Sequence, residues 1–475
     1  MRRIERIVIE QRFDVIVLGG GPAGEACAGK LGEAGLSVAL VERHLIGGEC
    51  SYYACMPSKG LLRPAEVLAE ARRIPGAREG VTGTLDVEAV LRRRDEIVHG
   101  FEDTDQLPWL DERNVTLVRG HGVLAGERRV RVEDELLVAD RAVVVAVGSG
   151  PVMPSIPGLR EARPWTNREA TTSALVPPRL IVLGGGVVGV ELAQAWATLG
   201  SQVTLLELFE RILVREEPFA GEEVAAALRE LGVDVRTGAE AVRVERRGGA
   251  VDVELADGGR VRADQLLVAI GRRPLTEDIG LDTVGLQPGA PIEVEDTMQV
   301  PGRDWLYAIG DVNGRALLTH MGKYQARIAA TNILGGEARV ARPAQGPLAP
   351  RVVFTDPQVA AVGHTLESAR GTGIPAVAVD HPTRGSAASS FYGRGAPGTT
   401  RLVFDADRDV LVGATFVGPD VAEMVHAATI AIVGEVPAAR LAHAIPSFPT
   451  RSEIWLRLLD KYDAVARRRE LRAVG

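Results

Sequence analysis

The sequence predicts an α/β chain in which two copies of one strand–turn–helix–strand unit are followed by a region of α+β character. Three observations predict it. A 30-residue pattern at residues 14–43 recurs at residues 179–208, an offset of 165. Both copies carry glycines spaced G-x-G-x-x-G, and the strand-like and helix-like runs from residue 346 onward alternate without a third copy.

The first copy reads DVIVLGGGPAGEACAGKLGEAGLSVALVER and the second RLIVLGGGVVGVELAQAWATLGSQVTLLEL. Each is a buried apolar strand, a glycine turn, an amphipathic helix and a second strand ending in an acid, which is a Rossmann-like βαβ unit. The glycines fall on Gly19, Gly21 and Gly24, and on Gly184, Gly186 and Gly189. The first permits the tight turn, the second lets a pyrophosphate approach the helix N-terminus, and the third lets helix and strand pack closely. The acids Glu42 and Glu207 lie 23 residues beyond the first glycine of their copies, where a carboxylate accepts hydrogen bonds from a ribose diol. Such a turn alone also occurs in loops that bind nothing. With strand, helix and acid present twice, the chain is read as holding two dinucleotides and moving electrons between them.

Three further short strands end in glycine: VVVAVGSG (143–150), LLVAIGRR (266–273) and WLYAIGD (305–311). The first two are expected to close the two sheets, and the third sets Asp311 at a strand end, either facing a cofactor crevice or capping the next turn. PVMPSIPG (151–158) reads as a linker outward and RRPLTEDIG (272–280) as the linker back, while residues 335–350 open the last region. There RVVFT, TRLVF and VLVGATFVG read as strands.

At 475 residues the chain suits about three domains, and 46% apolar with 25% charged residues excludes a disordered or fibrous class. A net charge of −8 argues against nucleic acid and for a small-molecule partner. Glu5, Arg6 and Glu10 interrupt any apolar core of a leader, and no apolar run reaches membrane-spanning length, so the expected setting is cytoplasmic with no membrane span. Lysine occurs only at Lys30, Lys59, Lys323 and Lys461, which leaves 51 arginines among the 55 basic residues.

Of three cysteines, Cys27 reads as a core residue among small neighbours, and Cys50 and Cys55 in GGECSYYACMPSKGLL as a redox pair. Five residues apart, they reach bonding distance only through a distorted helix entry, which Gly47 and Gly48 permit. A plain buried pair is the alternative. No metal site is expected, because two thiols without a nearby C-x-x-C or histidine pair leave zinc two ligands short.

The motif Gly-Gly-x-Cys-x-x-x-x-Cys-x-Pro-Ser-Lys after the first unit, then Ala-x-Gly-Ser, the second G-x-G-x-x-G, AIGRRP and YAIGD, resembles the flavoprotein disulfide reductases, dihydrolipoamide dehydrogenase in particular. The motifs run in family order over residues 13–453. The resemblance implies an FAD domain (1–150 and 275–345) interrupted by an NAD(P) domain (151–274), then a C-terminal domain (346–475) that forms a homodimer. It implies Cys55 against the flavin and Cys50 as the exchange sulfur, with Lys59 near the flavin N5 and paired with Glu191. Implied flavin contacts are Glu42, Gly48, Gly122, Gly148, Ser149, Asp311, Leu317, Leu318, Thr319 and His320. Gly271 is placed with the nicotinamide site.

Relatives that use NADPH carry arginines just past the second unit. Here Glu207 repels a 2′-phosphate and suits a free 2′-hydroxyl, with Leu208 and Val214 at the following positions, so NAD is preferred. Arg211 keeps NADP open.

Two departures bear on the substrate. Tyr52 and Tyr53, two of six tyrosines, stand between the cysteines, either crowding the exchange sulfur, offering a flat surface to an aromatic acceptor, or simply packing. Where the family carries His-Pro-Thr-x-Ser-Glu, this chain reads Phe448-Pro449-Thr450-Arg451-Ser452-Glu453. Phenylalanine supplies no acid–base assistance, a contribution of about 10²–10⁴ in rate. Glu453 remains, and His443 is a candidate substitute. A quinone takes its protons from water, so the expected acceptor is quinone-type, with lipoamide or another small disulfide as the alternative. Mercury reduction is disfavoured because Cys55 is the last cysteine. An FAD-holding subunit without turnover is the reading from another class, but it needs neither the cysteines nor Lys59.

Overall fold

The computed structural model describes residues 9–341, 345–393 and 398–474; Glu5, Arg6 and part of the 335–350 opening lie outside the described residues. The chain folds into two compact units.

The first unit comprises residues 9–57, Asp95–Val152 and Arg272–Ala341. Its sheet runs Gln299–Val300, Arg303–Ala308, Glu135–Val145, Ile9–Leu18, Val38–Glu42, Val115–Arg119, parallel from the second strand on. Val15, Ile16 and Val17 are fully buried, as a central parallel strand covered on both faces requires. Leu18 lies opposite both Val41 and Val145, so Gly19, Glu42 and Ala146 emerge at one edge of the sheet. Strand Glu135–Val145 holds the first three residues of the predicted VVVAVGSG run, and instead of closing the sheet it lies inside it, between Arg303–Ala308 and Ile9–Leu18. Pro22 opens helix Pro22–Glu33 with its preset φ. Helix Thr319–Ile333 packs so closely on it that a Cβ at Gly322 would lie 3.1 Å from the Ala23 Cβ. The two predicted linkers meet, Arg272–Pro274 pairing antiparallel with Ser149–Pro151.

The second unit comprises Ser58–Arg94, Met153–Gly271 and the described residues from 345 on. It repeats the parallel design with Asp234–Arg236, Gln202–Leu206, Arg179–Leu183 and Gln265–Val268, the last being the predicted closing strand. A three-stranded antiparallel sheet, Ala241–Arg247, Ala250–Leu255 and Arg260–Ala263, follows. The C-terminal region is a five-stranded antiparallel sheet ordered Arg351–Val353, Gln358–Gly363, Val410–Gly418, Thr399–Asp405, Ala376–Pro382. Helices Val425–Val433 and Ile454–Val474 bury Ala428, Ile454 and Leu458 against it. The α/β class with a terminal α+β region is therefore the observed one.

Candidate functional site

The three glycines of each repeat play three distinct parts. Gly19 and Gly184 have φ of 107° and 104°, and a Cβ there would stand 2.5 Å from Ala146 O and 2.6 Å from Ala269 O. A Cβ on Gly24 or Gly189 would run into the carbonyl of its own first glycine, Gly19 or Gly184. In front of Gly21 and Gly186, the N-caps of helices Pro22–Glu33 and Val187–Thr198, the space is open. Both loops thus have the form a pyrophosphate at a helix N-terminus needs. The acids are held alike. Glu42 accepts the Gly20 N–H at 2.7 Å and the His44 N–H at 2.6 Å, and Glu207 accepts the Gly185 N–H at 2.5 Å and the Phe209 N–H at 2.9 Å.

In the first unit the cysteine segment enters through Gly47 and Gly48, with φ of 98° and 56°. A Cβ on Gly48 would lie 2.9 Å from the Gly21 Cα, so this turn abuts the first glycine loop. Cys50 sits in the short helix Gly48–Tyr52, the chain breaks at Tyr53, and Cys55 begins helix Cys55–Arg73. That break lets sulfurs five residues apart meet. Both are thiols and hydrogen-bond one another. The bond to Cys55 and then burial push the Cys50 thiol upward, opposed by Thr319 and Lys323. Cys55 Sγ lies 3.5 Å from Thr319 Oγ1, at the positive end of helix Thr319–Ile333.

Nearby in the same unit the Ser149 hydroxyl donates to Asp311 Oδ2 at 2.5 Å, and burial raises the Asp311 carboxyl. Arg272 fixes both, donating to Ser149 Oγ at 2.8 Å and Ser149 O at 2.6 Å and standing 4.0 Å from Asp311. Gly148 takes φ 75°. Gly122 is packed against Leu18 and Val41, with no room for a side chain. Leu317 is exposed, Leu318 caps helix Thr319–Ile333, and His320 lies exposed in its first turn.

In the second unit Lys59 Nζ lies 2.7 Å from Glu191 Oε2 and 4.9 Å from the Phe354 ring centroid. Leu208 and Phe209, after Glu207, are exposed, and Gly271 takes φ 147°. Phe448 is 77% exposed, His443 is exposed, and Glu453 accepts the Thr450 N–H at 3.0 Å.

Sequence reasoning missed Arg272, although it stands inside AIGRRP. It also missed the Phe354 partnership with Lys59 and the contact of Phe101 with Tyr53, neither of which has a spacing signal. Among the described residues no helix is long and apolar enough to cross a membrane, and no group of three or more His, Cys, Asp or Glu could hold a metal ion.

Two dinucleotide loops, a close dithiol and a lysine–glutamate pair define a nicotinamide-linked oxidoreductase with a dithiol centre. The chain belongs to the pyridine nucleotide-disulphide oxidoreductases: residues 13–331 match that family and residues 349–458 its dimerisation domain. It is 35% identical over 457 residues to the dihydrolipoyl dehydrogenase of Thermus scotoductus, covering 93% of this chain and 95% of that one. It is 34% identical over 458 residues to the mercuric reductase of Acidithiobacillus ferrooxidans, covering 93% and 81%. Among solved structures it is similar to LpdA from Mycobacterium tuberculosis (TM-score 0.82, 26% identity, 96% and 100% of the chains). It is also similar to the HOCl-induced flavoprotein disulfide reductase RclA from Escherichia coli (TM-score 0.81, 26%, 94% and 99%). Enzymes of this family use FAD and NAD(P)H, and the two glycine loops and paired acids described above suit those dinucleotides.

Proposed function

We propose that the chain is an NAD(P)H oxidoreductase, NADH preferred, that passes two electrons through Cys50 and Cys55 to a small quinone-type acceptor, as a cytoplasmic homodimer. The observation that carries this reading is an intact dithiol without its proton donor: Phe448 occupies the histidine position of the C-terminal motif. Residues 1–150 with 275–345 form the FAD domain in this reading, residues 151–274 the nicotinamide domain and residues 346–475 the dimer domain.

Bound FAD supplies the two-electron link between nicotinamide and dithiol. Gly19, Gly21, Gly24 and Glu42 hold its adenosine and pyrophosphate side; Gly48, Gly122, Gly148, Ser149, Asp311 and the 317–320 segment orient the rest. Gly184, Gly186, Gly189, Glu207 and Gly271 hold the nicotinamide dinucleotide. Lys59, fixed by Glu191, places a compact cation that a planar guanidinium would not replace. In this reading, by match to the family motif, Cys55 is the thiolate against the flavin and Cys50 the exchange sulfur.

A small disulfide must be protonated as it leaves, and the motif has no imidazole for it. A quinone receives its protons from water or from the thiols. Glu453 is spent on its own turn at Thr450. Reduction of lipoamide remains the second reading, favoured by the 35% identity to a dihydrolipoyl dehydrogenase. A steady-state panel with NADH against quinones, lipoamide, glutathione disulfide and mercuric ion tests the proposal. A higher kcat/KM for quinones is expected, and a preference for lipoamide would overturn it.

A further inference from the structure

The two tyrosines between the cysteines are not equivalent. Tyr52 is 2% exposed, its hydroxyl donates to the Glu102 carbonyl at 3.2 Å, and burial pushes its phenol up to about 12, so it is a neutral packing residue. Tyr53 is only partly buried. Its ring stacks on that of Phe101 at 6.3 Å between centroids with 20° between planes.

Phe101 is also partly buried and reaches that position through an unusual backbone. His99, Gly100 and Phe101 have consecutive φ of 51°, 64° and 63°. A bulky side chain in the left-handed region is strained, and such strain persists only where the surroundings fix it. Here they do. Tyr52 holds Glu102 from one side, and on the other the Asp103 carboxylate accepts the Ile46 N–H at 2.7 Å and Arg119 at 2.5 Å. The loop is tied to both ends of the segment that delivers Cys50. The arrangement sets two nearly parallel aromatic rings, both on partly buried residues, one of them on the segment between the cysteines.

We infer that Tyr53 and Phe101 form the docking platform for the ring of a planar quinone, which stacks on them next to the dithiol. This deepens the function proposed above and rests on it. In the step the quinone takes two electrons from the Cys50 thiol and the Cys55 thiolate, one proton from Cys50 and one from water. The hydroquinone leaves, and an S–S bond forms between the cysteines. NAD(P)H, with bound FAD as the link, would then return the disulfide to the Cys50 thiol and the Cys55 thiolate.

The test uses the FAD-loaded enzyme, with 1,4-naphthoquinone and lipoamide as acceptors for NADH. Tyr53→Leu and Phe101→Leu, each checked for FAD content and melting temperature, are expected to raise the naphthoquinone KM by roughly threefold to tenfold, the usual size of an aromatic stacking contribution. The lipoamide KM is expected to stay unchanged, and Tyr53→Phe to behave as wild type. Equilibrium dialysis of naphthoquinone against the oxidised enzyme reads the platform without turnover and should show the same weakening. Wild-type binding that both leucine variants retain, or no binding by wild type, would overturn the platform. Tight, Tyr53-dependent binding without turnover would uphold the platform and instead sink the quinone reductase reading.

Discussion

Lys59 Nζ stands 2.7 Å from Glu191 Oε2, and the other oxygen of that carboxylate accepts the Phe354 N–H at 2.9 Å. The two partners are unequally exposed, the glutamate side chain at 4% and the lysine at 34%. Lys59→Met therefore strands a buried carboxylate with one donor. It is expected to cost about 1–3 kcal/mol, toward the lower end because water reaches the lysine. Glu191→Gln keeps the shape and an acceptor for Phe354 and is expected to cost less. Thermal melts of the two variants check the order; a Glu191→Gln protein melting below Lys59→Met would contradict it.

The dithiol gives a signed pH dependence. Because the Cys55 hydrogen bond and burial hold the Cys50 thiol above its usual 9.0, folding favours its protonated form. That contribution is complete below pH 9.0 and is lost as pH rises above it, since the unfolded chain then ionises while the fold resists. Denaturant titrations of the reduced protein are expected to show stability falling above that pH, and Cys50→Ala to flatten the fall. Under anaerobic NADH the long-wavelength absorbance of a thiolate beside the flavin should survive Cys50→Ala and disappear in Cys55→Ser. The opposite pattern would reverse the assignment of the two sulfurs.

In the proposed function Glu207 sets the choice of nicotinamide. Its carboxylate accepts the Gly185 and Phe209 N–H groups, and in that reading it opposes a 2′-phosphate and suits a free 2′-hydroxyl. A kcat/KM ratio favouring NADH is expected for the wild type. Glu207→Gln keeps an acceptor while removing the charge, and should narrow the ratio by about tenfold, the 1.4 kcal/mol of one charged contact. A wild type that prefers NADPH would refute this role.

Local rules reach some of these features and not others. The two nucleotide units were legible because backbone sterics alone dictate the glycine spacing: Gly24 and Gly189 leave no room for a Cβ. The distorted cysteine entry was legible for a similar reason, since Gly47 and Gly48 mark it. The support of Ser149 and Asp311 by Arg272 was not, because a strand pairing between residues far apart in the chain creates it. Phe101 was equally hidden: its place depends on Tyr52, Ile46 and Arg119 pinning a loop some 50 residues after the cysteines. The split between Tyr52 and Tyr53 is a matter of burial, which adjacent identical residues cannot reveal.

The claim that loss of the base decides the acceptor is tested most directly by lipoamide reduction in Phe448→His, with quinone reduction as the internal reference. Phe448 is 77% exposed, so an imidazole fits there without disturbing a core. In the proposed homodimer it would face Cys50 of the partner subunit. In Phe448→His the kcat/KM for lipoamide is expected to rise by up to about 10²–10⁴, the contribution of a positioned acid–base group, while quinone reduction changes little. An FAD-loaded, dimeric Phe448→His enzyme with no gain toward lipoamide would contradict it.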